Sequence, residues 1–276
     1  MKCKLCEAET RKKYTLKGSR TKHNIGLHYC SVCSIHYCLT IDYDYKDSDE
    51  NILIYYENAR DYIESRQRKI FSFIKDNFYK QAGIFLDIGS GIGYSLKVAK
   101  EFGWQAVGIE PNIKLEEYSR NVLKLNTISG YLSKDSINTI KEQLPEGLAD
   151  YILIDNVLEH IPDPVDFLQN TLKLLKPEGL ILVAIPPIDW LRLSLAYVSF
   201  IRTNSTSAQI NLFYDPEQHV NYFSRKAMKV LTRNVGGCKL TSFRFHHSKL
   251  LNNWASNVMG FETGYYFIVK DSISTT

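Results

Sequence analysis

From residue 84 onward the chain alternates short apolar runs with stretches of helical periodicity. Five segments, 84–88, 106–110, 126–129, 151–155 and 180–185, read as strands separated by helix-patterned sequence. Strands buried on both faces carry nearly continuous apolar side chains, and helices between them supply the crossovers of a parallel sheet. Two later segments, 239–245 and 265–270, are rich in aromatic and β-branched residues and are expected to close that sheet. The predicted fold class is α/β: a doubly wound, seven-stranded, mostly parallel sheet, which binds ligands at the carboxyl ends of its strands.

Upstream of the sheet, Tyr56, Ala59, Tyr62, Ile63, Ile70, Phe73 and Ile74 recur at spacings close to three and four. They predict one long helix whose apolar face covers the edge of the sheet domain, or whose tyrosines close over a ligand. The acidic stretch 42–50 ahead of it reads as a boundary. The expected organisation is therefore a small module over 1–41, a linker and helix over 42–80, and the sheet domain over 81–276. Within the last, 188–219 is longer than a plain strand-to-helix connection and reads as a lid. Trp190, Leu191, Leu193, Leu195, Tyr197 and Phe200 make its first half apolar, suited to packing on the cleft or a partner subunit.

With 276 residues, 44% hydrophobic and 23% charged, the chain can bury one large core plus a small appendage. Its apolar runs stop short of the roughly 18 residues a membrane span needs, and the opening "MKCKLCEAETRKK" has no apolar run behind its lysines. Neither a membrane span nor secretion is expected, which points to the cytoplasm. The net charge of +4 is too mild to argue by itself for a nucleic-acid partner.

Charge and cysteine are concentrated at the start, where Lys2, Lys4, Arg11, Lys12, Lys13, Lys17, Arg20 and Lys22 face only Glu7 and Glu9. Cys3 with Cys6 and Cys30 with Cys33 form two C-x-x-C pairs, the spacing at which two turns offer four thiolates to one tetrahedral ion. A four-cysteine zinc ribbon is the natural reading, since a segment so poor in aliphatics needs a metal to supply its folding free energy. Glu7 and Ser34 stand where such knuckles often carry glycine. His23, His28, His36 and Cys38 leave a mixed ligand set open, as does a ribbon without metal. Disulfides do not suit a chain without an export signal.

Candidate chemistry centres on "FLDIGSGIGYS", in which Asp87 precedes Gly89, Ser90, Gly91 and Gly93 at the end of a strand and the start of a helix. Glycines there let a ligand approach the main chain where a Cβ would block it. A dinucleotide site requires G-x-G-x-x-G, and the third glycine's place holds Tyr94. Asp87 would repel a pyrophosphate and attract an amino cation, so the expected ligand carries a ribose and a positive charge.

These residues resemble class I S-adenosylmethionine-dependent methyltransferases over about 84–187. "VGIEPN" ends the second strand on Glu110, and "ADYILIDNVLEHIPDPVDFLQNTLKLLKPEGLILVAIPP" is similar to the family's fourth strand, its loop, and a helix ending in K-P-E-G before the fifth strand. The C-x-x-C pairs and "DPEQHVNYFSRKAMKVLTRNVGG" resemble a subgroup with an N-terminal zinc ribbon, so a Rossmann-like methyltransferase fold is implied, with Zn2+ on Cys3, Cys6, Cys30 and Cys33. By the same resemblance Asp87, Gly89, Ser90, Gly91 and Gly93 hold the methionine end of S-adenosylmethionine, and Glu110 holds both ribose hydroxyls. Pro111 and Leu132, with Asn112 and Tyr131, lie near the adenine, and Asp155 and Asn156 line the cleft by the reactive methyl.

Positioning carries much of such a transfer, and a hydroxyl acceptor is helped by a base of near-neutral pKa. His219, ahead of a helix expected over 224–234, is the first candidate. His160 in "NVLEHIPDP" is a second, as base, substrate contact or loop-orienting residue, and Tyr222 a third; an amine acceptor would need none of them. Cys238 reads as a strand residue. The resemblance implies an O or N acceptor on a small molecule, namely a sugar, a nucleotide-linked sugar or a glycan end. Related sugar C-methyltransferases carry an extra C-terminal domain for which this chain has no room. The alternatives are rRNA or tRNA methylation using the basic ribbon and, behind it, a non-catalytic cofactor-binding scaffold. Monomer and homodimer both remain open.

Overall fold

The computed structural model describes residues 1–18, 23–38, 51–79, 81–186, 217, 219–242 and 264–271. In chain order the strands are β1 (Arg11–Lys17), β2 (Asn24–Tyr29), β3 (His36–Cys38), β4 (Ile84–Ile88), β5 (Gln105–Glu110), β6 (Thr127–Ser129), β7 (Ala149–Asp155), β8 (Leu175–Ile185), β9 (Asn221–Tyr222), β10 (Cys238–Ser242) and β11 (Gly264–Lys270). The helices are α1 (Ile52–Asn77), α2 (Tyr94–Glu101), α3 (Ile113–Glu117), α4 (Ile137–Gln143), α5 (Pro164–Lys173) and α6 (Arg225–Val235), with a π turn at Tyr118–Val122 and a 3-10 turn at Leu158–His160.

Seven strands form one sheet in the order β10-β11-β8-β7-β4-β5-β6. β11 runs antiparallel to β8 and β10, and the other pairs are parallel. The doubly wound, mostly parallel sheet is thus present as expected. Its order reverses between β4 and β7, where the chain leaves outward to β5 and β6 and then returns, so the crevice opens at the carboxyl ends of those two strands. Phe71, Phe85, Tyr151 and Trp104 stack beneath it, with ring centroids 5.1 Å apart for Phe71 and Phe85 and 5.0 Å for Phe85 and Tyr151. Those rings pack the amino-terminal parts of β4 and β7 against α1.

Two elements differ from expectation. The K-P-E-G string does not end a helix: α5 stops at Lys173 and β8 begins at Leu175, upstream of it. Glu178 takes φ 62°, and the β7–β8 register shifts between Ala149 and Tyr151, so the string is a bulge inside a strand. In α1 the buried face is Glu64, Arg66, Gln67, Ile70, Phe71 and Ile74, whereas Tyr62 is 60% exposed. The apolar half of that face meets the sheet, while Arg66 and Gln67 meet Asp155 and Glu64 meets Lys97, a distinction to which apolar periodicity is blind. The strand expected over 239–245 is β10, with 243–245 outside the described residues. The linker over 42–50 and nearly all of the expected lid also lie outside them.

The first three strands form an antiparallel ribbon, and β9 completes it in the order β1-β2-β3-β9. His36 pairs with Tyr222 and Tyr37 with Asn221, while the Cys38 N–H donates to the Val220 carbonyl at 3.0 Å. Asn234 of α6 donates from its side chain to the Leu5 carbonyl. The ribbon is therefore stitched to a segment some two hundred positions downstream.

Both cysteine turns close in the same way. The Glu7 N–H donates to the Cys3 carbonyl at 3.0 Å, and the Ser34 N–H to the Cys30 carbonyl at 2.8 Å. Glu7 and Ser34 take φ 58° and 59°, left-handed values that cost a side-chain-bearing residue energy and glycine almost none. Ser34→Gly is expected to stabilise the ribbon by about 0.5–1 kcal/mol, read as a higher unfolding temperature of the zinc-supplemented protein. An unchanged or lower temperature would refute this account of the turn.

Candidate functional site

β4 ends at Ile88 and the chain turns through Gly89 to Gly93 into α2. Gly89 has φ 79°, and a Cβ there would lie 2.4 Å from Val157 Cγ2; Gly91 has φ 55°, and a Cβ there would lie 2.8 Å from the Tyr56 hydroxyl. The loop is thus pressed between the turn after β7 and a tyrosine of α1, and only a bare backbone fits. Ser90 is buried within it. One of the helix tyrosines considered for closing over a ligand, Tyr56, does lie across this loop.

Three carboxylates converge at the strand ends. Asp87 is 3% exposed; the Ser95 hydroxyl donates to one of its oxygens, while Oδ1 has no hydrogen-bond partner. Burial pushes Asp87 up to about 7, the Ser95 hydrogen bond opposes this, and Asp155 and Glu110 reinforce it. Glu110 accepts the Gly91 N–H at 2.7 Å on Oε2 and the Asn112 N–H at 2.8 Å on Oε1, which ties the glycine loop to the turn after β5. A carboxylate oxygen can accept more than one hydrogen bond, so such a group can also take a ribose hydroxyl. Asp155, also raised by burial, is paired with Arg66 and accepts from Gln67 Nε2 at 3.1 Å.

Sequence reasoning missed Arg66 and Gln67. The available signal was their place, at positions 63, 66, 67, 70 and 74, on the face that Ile63, Ile70 and Ile74 mark. Farther out, the Asn112 side chain caps α3 by accepting from the Lys114 and Leu115 N–H groups at 3.0 and 3.2 Å. Pro111 is half-buried, Leu132 packs half-buried on the main core, and Tyr131 is 75% exposed.

Asn156 follows at φ 54°, its amide donating to Asp155 Oδ1 at 3.1 Å. The 3-10 turn then advances about 6 Å over three residues, so His160 sits within one turn of the Val157 that touches the glycine loop. His160 and His219, distant in sequence, meet with ring centroids 4.8 Å apart, and Tyr222 lies 6.1 Å from His219. The Val220 N–H donates to the Glu159 carbonyl at 2.9 Å, and Asn221 Nδ2 to the Ile161 carbonyl at 2.6 Å, which explains the meeting. Tyr222 is buried against the ribbon, where it pairs with His36 of β3. Glu159, also missed, is 2% exposed, and burial pushes it up to about 8.

In the ribbon the four paired cysteines come together. Sγ distances are 3.4 Å for Cys3–Cys33, 3.5 Å for Cys6–Cys30 and 3.8 Å for Cys6–Cys33. A tetrahedral zinc with bonds of about 2.3 Å sets its sulfurs about 3.8 Å apart, so this donor set fits the ion. His36 and Cys38 are buried on β3, outside the four-sulfur group.

This glycine loop, its strand-end acids and the sheet order define the fold of S-adenosylmethionine-dependent methyltransferases. Solved structures agree. A SAM dependent methyltransferase from Archaeoglobus fulgidus superposes with TM-score 0.52 at 18% identity, over 80% of this chain and 99% of that one. The plantazolicin methyltransferase BpumL in complex with SAH gives TM-score 0.55 at 18% identity, over 82% and 92%. A family model described as a methyltransferase domain matches residues 62–237, and the chain belongs to that family. Among curated proteins, the ubiquinone biosynthesis O-methyltransferase of Bradyrhizobium sp. (strain ORS 278) is 33% identical over 114 residues, 41% of this chain and 44% of that protein. Its counterpart in Bartonella tribocorum is 30% identical over 152 residues, 53% and 60%. The chain thus spans less than half the length of the first relatives it matches.

A cation entering beside Asp87 favours the carboxylate, so binding expels the proton that burial retains near pH 7. Affinity for S-adenosylmethionine should therefore strengthen as pH rises toward about 7 and level off above it, with proton release visible by calorimetry in buffers of different ionisation enthalpy. Asp87→Asn should flatten that profile. A slope that persists in the variant would remove Asp87 from the cofactor contact.

Proposed function

We propose that this chain transfers a methyl group from S-adenosylmethionine to a hydroxyl of a small molecule. The observation that carries the reading is the buried Asp87 Oδ1, without a partner, beside a glycine loop that only a bare backbone can form. An uncompensated buried acid calls for a cationic ligand, and a nucleoside with a cationic amino-acid tail meets both demands.

Asp87, Gly89, Ser90, Gly91 and Gly93 take the methionine end, and Glu110, at the end of β5, takes the ribose hydroxyls. Pro111 and Leu132 flank the adenine. Arg66 and Gln67 hold the Asp155 carboxylate against the cleft wall, beside Asn156. The bound cofactor supplies an electrophilic methyl on a sulfonium centre. The protein's part is to exclude water and to set the acceptor oxygen in line with that methyl. His219 and His160 are the candidates for acting on the acceptor, supported by their pairing, with Tyr222 beside His219. Zn2+ on Cys3, Cys6, Cys30 and Cys33 holds the ribbon closed.

A hydroxyl acceptor is supported by the histidine pair and by the O-methyltransferase names of the aligned relatives. Sugars, nucleotide-linked sugars and glycan ends are the acceptors proposed first, and phenolic rings belong in the same screen. RNA is a second reading, because Arg11, Lys12, Lys13 and Lys17 are all exposed on β1. Retention on RNA that falls steeply with salt would favour it.

Glu110→Ala should weaken S-adenosylmethionine binding by about 10–100-fold, the loss of one or two charge-assisted hydrogen bonds, measured by calorimetry on samples with equal zinc content. An unchanged affinity would remove Glu110 from the ribose contact, and absence of binding in the folded wild type would sink the methyltransferase reading. Labelled methyl transfer to a panel of hydroxylated acceptors and RNAs then separates the substrate classes.

A further inference from the structure

Glu159, His160 and His219 place one ligand atom each within 4.8 Å of one another. Two of the three arrive from the turn after β7 and the third from the segment before β9. The backbone bond from Val220 to Glu159 and the side-chain bond from Asn221 to Ile161 hold those segments together without any ion. Glu159 is 2% exposed, yet neither carboxylate oxygen has a hydrogen-bond partner in another described residue. A buried carboxyl without a partner keeps its proton, or gives it up to bind a cation. His160, by contrast, is exposed, so the cluster is closed on the carboxylate side and open on the other.

We propose that Glu159, His160 and His219 form a second metal site that takes one divalent cation of the zinc or manganese type. Two imidazoles and one carboxylate suit such ions and leave coordination positions open, unlike the closed set of four thiolates in the ribbon. An ion about 2.1 Å from each ligand keeps ligand atoms at most about 4.2 Å apart, so small side-chain rotations complete the site. Its role rests on the methyl-transfer reading. The acceptor hydroxyl occupies an open position and becomes more acidic, and its proton leaves to water. The oxygen lone pair forms the O–C bond as the C–S bond of the sulfonium breaks, leaving the thioether. On this account the two histidines act through the cation and not as free bases.

The test is cobalt(II) titration of protein whose ribbon is already saturated with zinc. Wild type should take one further cobalt ion per chain, with ligand-field bands of nitrogen and oxygen ligation and no thiolate-to-cobalt charge transfer. Glu159→Gln, His160→Ala and His219→Ala should each weaken that uptake by at least about 10-fold, the lower end of what losing even an outer-shell partner costs. Their ribbon zinc should be unchanged. Because His160 is exposed, its variant keeps the test open if Glu159→Gln fails to fold. Absence of a nitrogen- and oxygen-ligated cobalt in wild type, or equal uptake in all the folded variants, would overturn the site. S-adenosylmethionine calorimetry on the same samples separates the two readings: cobalt uptake without cofactor binding would leave the site standing and remove its role in methyl transfer.

Discussion

Asp87, Glu110 and Asp155 stand toward the ends of three adjacent strands, β4, β5 and β7, and the protein must hold Asp87 and Glu110 buried and Asp155 half-buried. The neighbouring structure follows from that demand. α1 turns a polar stripe inward so that Arg66 and Gln67 reach Asp155. Glu110 spends one lone pair on each of two backbone amides and so fixes the glycine loop. Asp87 is left with one oxygen unpartnered, and its proton is retained to about pH 7. Arg66 answers Asp155, and the unpartnered oxygen of Asp87 leaves room for a cationic group.

The second organising feature is β9, two residues long. Its Tyr222 and Asn221 pair with β3 of the ribbon, while Asn221 and the preceding Val220 grip the turn after β7. That turn in turn presses Val157 against Gly89. The ribbon, the histidine pair and the glycine loop are thus mechanically continuous. Through β9 the ribbon is tied to the segment that carries His219, and it buries Leu27, Ile35 and Tyr37.

Much of this was legible in the sequence. Seven strands read from apolar runs form the sheet, because strands buried on both faces leave a continuous apolar trace. The two C-x-x-C pairs and the alternate glycines were legible for a related reason: each is a local spacing imposed by one turn. Glu7 and Ser34 were flagged as awkward, and both do take left-handed backbone.

What the tertiary structure alone decided is which distant residues share a site. Glu159 drew no reading from the sequence and is buried; Arg66 and Gln67 share a helix face with Ile63, Ile70 and Ile74 and reach Asp155. The K-P-E-G string reads as a helix end and is a strand bulge, because β8 begins to pair with β7 before it. His160 and His219 lie 59 positions apart and meet through β9. Sequence by itself determined the elements and the local turns, since these follow from periodicity and backbone preference within a few residues. The polar contacts that make the site depend on long-range packing, which carries no periodic signature in the chain.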